Sequence, residues 1–201
     1  MITGASSGIG KDMAITLSHM GYDLILVARS EKALEEIKKQ LNTDVEIIVK
    51  DLSNSENVKD IVFFKKAIEV LTKKYDIDLL INNAGYGIFG SFDETDLDKE
   101  LEMLNVNINA VHILTKLYLK EMEKKDKGII LNVASSAAFF PGPLLSSYYA
   151  SKSYVYRLSL AINEELRRKK SNVQISVLCP GPVATNFNER AGVTFSVKPL
   201  S

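Results

Sequence analysis

The hydrophobic positions of this chain fall into two alternating patterns. Short runs are apolar at most of their positions, from Tyr22 to Val27, Val45 to Val49, Ile77 to Ile81, Ile129 to Val133 and Val173 to Leu178. Such runs predict strands covered on both faces, as in a parallel sheet. Between them apolar residues recur at intervals of three and four: Ile9, Met13, Leu17 and Met20, then Leu34, Ile37 and Leu41, then Ile61, Phe64, Ile68 and Leu71. Each series predicts an amphipathic helix. Two longer helices are expected at roughly Asp96 to Lys124 and Tyr148 to Lys169. Strand alternating with helix predicts a doubly wound α/β fold, a parallel sheet between two helical layers, with ligands outside the carboxyl ends of the strands.

Composition narrows the function classes. The 201 residues are 46% hydrophobic, with 25 basic against 25 acidic side chains. The balanced charge argues against a nucleic-acid partner, whose phosphates call for a basic excess. A lone Cys179 excludes an internal disulfide, and with only His19 and His112 beside it the chain is short of ligands for a Cys/His zinc site, so no metal is expected. No apolar run reaches the roughly 18 residues of a membrane span and no signal peptide is recognisable, so the expectation is a cytoplasmic protein without a membrane partner. Without repeats or linkers, residues 1–201 read as one domain. The first strand is only a stub at Met1 to Thr3, and Gly192 to Ser201 trail off without a closing helix and strand, so a truncated chain is expected.

The stub runs into Thr3-Gly4-Ala5-Ser6-Ser7-Gly8-Ile9-Gly10. Glycines there let the backbone approach a ligand closely, and the helix that follows offers unpaired N–H groups and a partial positive charge to a pyrophosphate. The spacing is TGxxxGIG rather than the G-x-G-x-x-G dinucleotide fingerprint. Further elements follow in order: Asn82-Asn83-Ala84-Gly85 after the fourth strand, Asn105-Val106-Asn107 in a helix, Ser135, then Tyr148-Tyr149-Ala150-Ser151-Lys152, and Pro180-Gly181-Pro182-Val183-Ala184-Thr185 after the last strand. Together they resemble the classical short-chain dehydrogenase/reductase family, through TGxxxGIG, NNAG, the helix asparagine, the serine, YxxxK and PGxVxT, from Met1 to about Phe187.

Tyr148 and Lys152 are four apart at the start of a predicted helix and so share one face. A phenol of pKa near 10 is ionised in about one molecule per thousand at neutral pH, a deficit of roughly 4 kcal/mol. An ammonium about 4 Å away at an effective dielectric near 20 supplies about that much. The resemblance then implies the roles. Tyr148 is the general acid/base, Ser135 hydrogen-bonds the reacting oxygen, Lys152 holds the nicotinamide ribose and depresses the Tyr148 pKa, and Asn107 anchors a water leading to solvent. The hydride belongs to the nicotinamide.

For the dinucleotide, the resemblance assigns Gly4, Ser6, Ser7, Gly8, Ile9 and Gly10 to the pyrophosphate and adenosine side. Asp51 and Leu52 go to the adenine, Asn83, Ala84 and Gly85 pass beside its ribose, Val183 and Thr185 hold the nicotinamide carboxamide, and Pro180 and Gly181 also belong to the cofactor site. Asp51 in Asp51-Leu52-Ser53 also reads as a helix cap. The acidic residue that selects NAD is missing from the end of the second strand, where Ala28-Arg29-Ser30 stands instead. A guanidinium there can grip a 2′-phosphate, so the cofactor is expected to be NADP(H).

The fold class implied is Rossmann-like, three-layer α/β/α, and the function an NADP-dependent oxidoreductase interconverting a small-molecule carbonyl and a secondary alcohol. A dinucleotide-binding sensor or scaffold of the same fold is the rival. An extended-branch epimerase or dehydratase would favour TGxxGxxG, which is absent. Phe139, Phe140, Pro141, Leu144 and Leu145, with Tyr86, Phe89 and Phe187, suggest an apolar substrate pocket, and the resemblance implies an apolar ketone or a 3-oxoacyl thioester as substrate. The resemblance also implies a homodimer or homotetramer packed through the two long helices, and a substrate lid and last strand beyond the recorded C-terminus. Arg167, Arg168, Lys169 and Lys170 read as a solvated helix terminus, and Cys179 as a buried, inert thiol.

Overall fold

The computed structural model describes residues 1–53 and 76–183. The helix expected around Ile61 to Leu71, with Thr185, Phe187 and the segment from Gly192 to Ser201, lies outside the described residues. In chain order the elements are β1 (Ile2–Thr3), α1 (Gly8–His19), β2 (Leu24–Ala28), α2 (Glu31–Lys38), β3 (Val45–Val49) and β4 (Leu79–Asn82). They continue with α3 (Leu97–Leu104), a π-helical segment (Asn105–Ala110), α4 (Val111–Lys125), β5 (Ile129–Val133), a 3-10 turn (Ser136–Phe139), α5 (Ser146–Lys169) and β6 (Gln174–Leu178).

All strand pairs are parallel and the order is β3-β2-β1-β4-β5-β6. The two-residue stub β1 is therefore central, with Ile2 opposite Leu26 on one side and Ile81 on the other. The chain direction across the sheet reverses between β1 and β4, which opens a crevice above their carboxyl ends. Alternate strand residues feed two cores. Leu24, Leu26 and Ile81 pack with Ala14, Leu34 and Ile37 of α1 and α2. Ile25, Val27, Leu80 and Ile130 pack with Leu114, Tyr118 and Met122 of α4 and Leu166 of α5. This is the expected three-layer, doubly wound arrangement.

Four sequence expectations shift. The second strand starts at Leu24 rather than Tyr22, because the Tyr22 N–H closes the turn after α1 onto the Leu17 carbonyl at 3.0 Å. The fourth starts at Leu79 rather than Ile77. Cover on both faces does not extend to the outer strands, since β3 is largely half-buried and β6 exposes Gln174, Ser176 and Leu178. The long helix expected from Asp96 to Lys124 is interrupted by the π segment. Its entry is fixed by Asp96, which caps α3 by accepting from the Lys99 N–H at 3.0 Å. The basic run ending α5 is an ion-paired surface: Arg167 and Arg168 reach Glu164, and Lys169 reaches Glu123.

Between the layers lies a buried polar knot. Asn132 Oδ1 accepts from Asn82 Nδ2 at 2.8 Å and Thr115 Oγ1 at 3.3 Å, while its Nδ2 donates to Ser159 Oγ at 2.9 Å. It ties β4 and β5 to α4 and α5 below the crevice. Among the described residues no helix is long and apolar enough to cross a membrane, and no group of three or more His, Cys, Asp or Glu could hold a metal ion.

Candidate active site and dinucleotide cradle

The glycine turn is locked to the segment after β4. Thr3 Oγ1 accepts from the Asn83 and Ala84 N–H groups at 3.0 and 3.1 Å, and Asn83 Nδ2 donates to the Thr3 and Gly4 carbonyls at 3.0 and 3.2 Å. Gly4 sits at φ +66°, where a Cβ would come within 2.8 Å of Ala84 Cα. At Gly10 a Cβ would meet Asn83 Nδ2 at 2.4 Å and the Gly4 oxygen at 2.5 Å. The turn delivers the chain into α1, whose first turn carries no acidic residue. The N-terminal N–H groups thus face the crevice without a competing carboxylate, as an anionic pyrophosphate requires.

Beside it, the structure brings Asn107, Ser135, Tyr148 and Lys152 together at the carboxyl ends of β4 and β5. Ser135 caps the 3-10 turn by accepting from the Ala137 N–H at 3.1 Å, and its side chain is near enough to Tyr148 to favour the phenolate. The Lys152 ammonium lies 5.9 Å from the centroid of the Tyr148 ring and donates to the Val133 carbonyl at 2.9 Å. Gly85 makes room for it: a Cβ there would stand 3.0 Å from Lys152 Nζ and 3.1 Å from Asn107 Oδ1.

The π segment explains how Asn107 arrives. Its extra residue per turn lets a fully buried amide face out of the helix ladder. Oδ1 accepts from the Tyr86 N–H at 3.1 Å, and Nδ2 donates to the Tyr86 carbonyl at 2.9 Å and to Ser151 Oγ at 3.0 Å. Ser151 donates in turn to the Tyr148 carbonyl at 2.7 Å. Asn107 therefore fastens the strand-end loop to the first turns of α5. A neighbour on the same segment, Asn105, donates from Nδ2 to the Ser53 carbonyl at 3.2 Å.

The electrostatics correct one expectation. The Tyr148 phenol is held above its ordinary value, chiefly by burial, with the Ser135 side chain pulling the other way and Tyr149 adding a smaller upward push. Lys152 is itself pushed down to about 8 by burial. The ammonium, 5.9 Å from the ring centroid, does not offset the desolvation of the phenol. A tyrosine in that state keeps its proton at neutral pH.

Arg29 is exposed at the end of β2, beside Ser30, which caps α2 by accepting from the Ala33 N–H at 3.3 Å. Next to it a cavity of about 340 Å³ is lined by Ser6, Lys11, Ser30 and Lys32, among others. Lys11 and Lys32 escaped the sequence reading, although Lys11 directly follows the glycine motif. Asp51 is turned onto its own loop, accepting from the Ser53 N–H at 2.9 Å and the Ser53 hydroxyl at 2.7 Å. Any helix that Asp51 would cap lies outside the described residues. Pro180 accepts from the Ser136 N–H at 2.9 Å, which brings the Pro180 and Gly181 turn against the serine. Val183 is half-buried nearby in sequence. Cys179 is not fully buried. It touches Ser135 through a backbone hydrogen bond and feels the charge of Lys152, yet burial still pushes its thiol up.

Of the apolar residues expected at a pocket, Leu145 is buried against Tyr148 with Tyr86 and Ile88 alongside. Phe89, Phe140 and Leu144 are 44%, 65% and 44% exposed. Phe139 turns away to pack edge-on against Tyr156 at 4.8 Å.

The glycine turn and the Ser–Tyr–Lys cluster thus lie side by side above the carboxyl ends of a six-stranded parallel sheet. The profile of the short chain dehydrogenase family matches residues 1–194, and the chain belongs to that family. It is 36% identical over 203 residues to a very-long-chain 3-oxoacyl-CoA reductase of Anas platyrhynchos, an alignment covering 97% of this chain and 62% of that protein. The solved short-chain dehydrogenase of Sphingobium yanoikuyae in complex with NADPH superimposes with a TM-score of 0.86 at 28% identity, over 99% of this chain and 77% of that one. A Burkholderia phymatum family member in complex with NAD gives 0.81 at 28% identity, over 99% and 72%.

Proposed function

We propose that this protein reduces a carbonyl to a secondary alcohol, and catalyses the reverse oxidation, with NADP(H). The observation that carries the reading is Lys152 buried 5.9 Å from the centroid of the Tyr148 ring, with Gly85 and Asn107 against it and Ser135 at the end of the neighbouring strand β5. The cradle fits a dinucleotide. Its glycines sit where a Cβ would collide, and the α1 N-terminus faces it without a carboxylate. Bound there, the nicotinamide supplies the hydride. Ser135 Oγ donates to the carbonyl oxygen and fixes it against Tyr148, whose hydroxyl delivers the proton as negative charge develops. The raised Tyr148 pKa favours that acid role. Lys152 then stabilises the phenolate left behind and offers donors to the ribose, while Asn107 holds Tyr86 and Ser151 so that the loop and helix keep their spacing.

Arg29, beside a cavity lined by Lys11 and Lys32 as well as by Glu36, supports binding of a 2′-phosphate. Exposed Phe89, Phe140 and Leu144 near the start of α5 support an apolar substrate, and the avian relative's name supports a 3-oxoacyl thioester. Tyr154 and Leu160, exposed on α5, support a homodimer or homotetramer packed through α4 and α5, which light scattering reads directly.

The experiment is NADPH oxidation at 340 nm over a panel of apolar ketones and 3-oxoacyl thioesters. Turnover of at least one class is expected. NADPH binding without turnover of any would favour the sensor reading.

A further inference from the structure

Glu100 takes part in none of these steps, yet both of its carboxylate oxygens are engaged, from two different segments. Oε1 accepts from Thr95 Oγ1 at 2.5 Å, at the end of the loop leaving β4. Oε2 accepts from Ser147 Oγ at 2.8 Å, in the first turn of α5 and adjacent to Tyr148. The same two segments meet again where the Gly90 N–H donates to the Leu144 carbonyl at 2.9 Å. Leu144 holds φ +66°, a conformation that side-chain-bearing residues adopt only when their surroundings impose it. Gly90 holds φ +155°, and a Cβ there would lie 2.7 Å from Thr95 Cγ2, so Thr95 sits directly over it. Glu100, Thr95, Gly90, Leu144 and Ser147 thus close a ring of contacts around the loop bearing Phe89 and the turn bearing Leu144.

We propose that Glu100 is a positioning residue for substrate specificity: its carboxylate clamps the β4 exit loop to the start of α5 and so sets the spacing between the apolar rim and Tyr148. A carboxylate suits the task. Two oxygens accept two hydroxyls at once in short, charge-assisted bonds, and negative charge is favourable at the N-terminus of α5. The inference rests on the carbonyl-reductase reading for its substrate consequence, but not for the clamp itself.

The test compares Glu100→Ala with Glu100→Gln in the full chain. In the alanine variant, KM for a bulky apolar ketone should rise about tenfold or more while NADPH Kd stays within about twofold, because the cofactor cradle is untouched. Without any ligand, amide exchange in residues 86–96 and 140–149 should accelerate about tenfold, with Gly90 the most affected, while β4 and β5 keep their protection. Glutamine keeps one acceptor oxygen and the side-chain volume, and should restore most of both properties. Wild-type exchange rates in the alanine variant would overturn the clamp. So would loss of protection throughout the sheet together with NADPH affinity, the mark of a merely structural role. If the wild-type protein turns over no carbonyl, the functional reading fails, and the exchange measurement still decides the clamp.

Discussion

Lys152 is 4% exposed, its Nζ is bonded to the Val133 carbonyl, and burial brings its pKa from 10.5 to about 8. Between those values the unfolded chain binds the proton and the folded chain does not. Stability therefore rises with pH across that window and is lowest below about 8. The gap of about 2.5 units, at 1.36 kcal/mol each, makes the buried ammonium cost on the order of 3 kcal/mol at neutral pH. Lys152→Met removes that cost at nearly the same volume, but deprives the Val133 carbonyl of a donor, a loss of about 1 to 2 kcal/mol. The variant should be more stable than wild type by roughly 1 to 2 kcal/mol at pH 7, a rise in Tm of about 2 to 8 °C for a chain of this size. It should also lose turnover and bind NADPH more weakly. The assay is urea unfolding of both proteins at pH 7.0 and 9.5, where the wild-type deficit should shrink by about 2 kcal/mol. A variant less stable than wild type at pH 7, by a margin that does not change at pH 9.5, would refute the reasoning.

Tyr148→Phe should lower kcat by about 10² to 10⁴-fold with NADPH affinity nearly unchanged, since it removes only the proton donor; a variant keeping more than about a tenth of wild-type kcat excludes Tyr148 as the acid. NADPH should be preferred to NADH by roughly 10 to 100-fold in kcat/KM, from charge-assisted bonds to the 2′-phosphate. Arg29→Asp should invert that preference, and an unmoved ratio would pass the selecting role to Lys11 and Lys32. Gly10→Ala places a Cβ 2.4 Å from Asn83 Nδ2 and 2.5 Å from the Gly4 oxygen, so urea unfolding should show a loss of about 1 to 3 kcal/mol. A loss below about 0.5 kcal/mol would mean that the glycine turn yields more easily than its hydrogen bonds to Asn83 suggest.

What was legible in the sequence is what local geometry encodes. Short, mostly apolar runs marked five strands, because the central strands are covered on both faces, and three- and four-residue intervals marked the described helices. The spacing of Tyr148 and Lys152 placed both on one helical face, and the glycines marked where the backbone had to pass close to Asn83 and Ala84. Decisions that depend on residues far apart in the chain were not legible. The π segment that brings Asn107 to Tyr86 and Ser151 leaves no mark in the apolar spacing, so periodicity alone read one continuous helix. The stub at Ile2 and Thr3 became the centre of the sheet only through its pairing with β2 and β4. The charge balance at Tyr148 turned on burial, which pushes its pKa up although a lysine lies four residues away. Lys11 met Lys32, and Glu100 met Ser147, only once the layers had packed, because a side chain's partner across a core is set by the tertiary arrangement and leaves no period in the sequence.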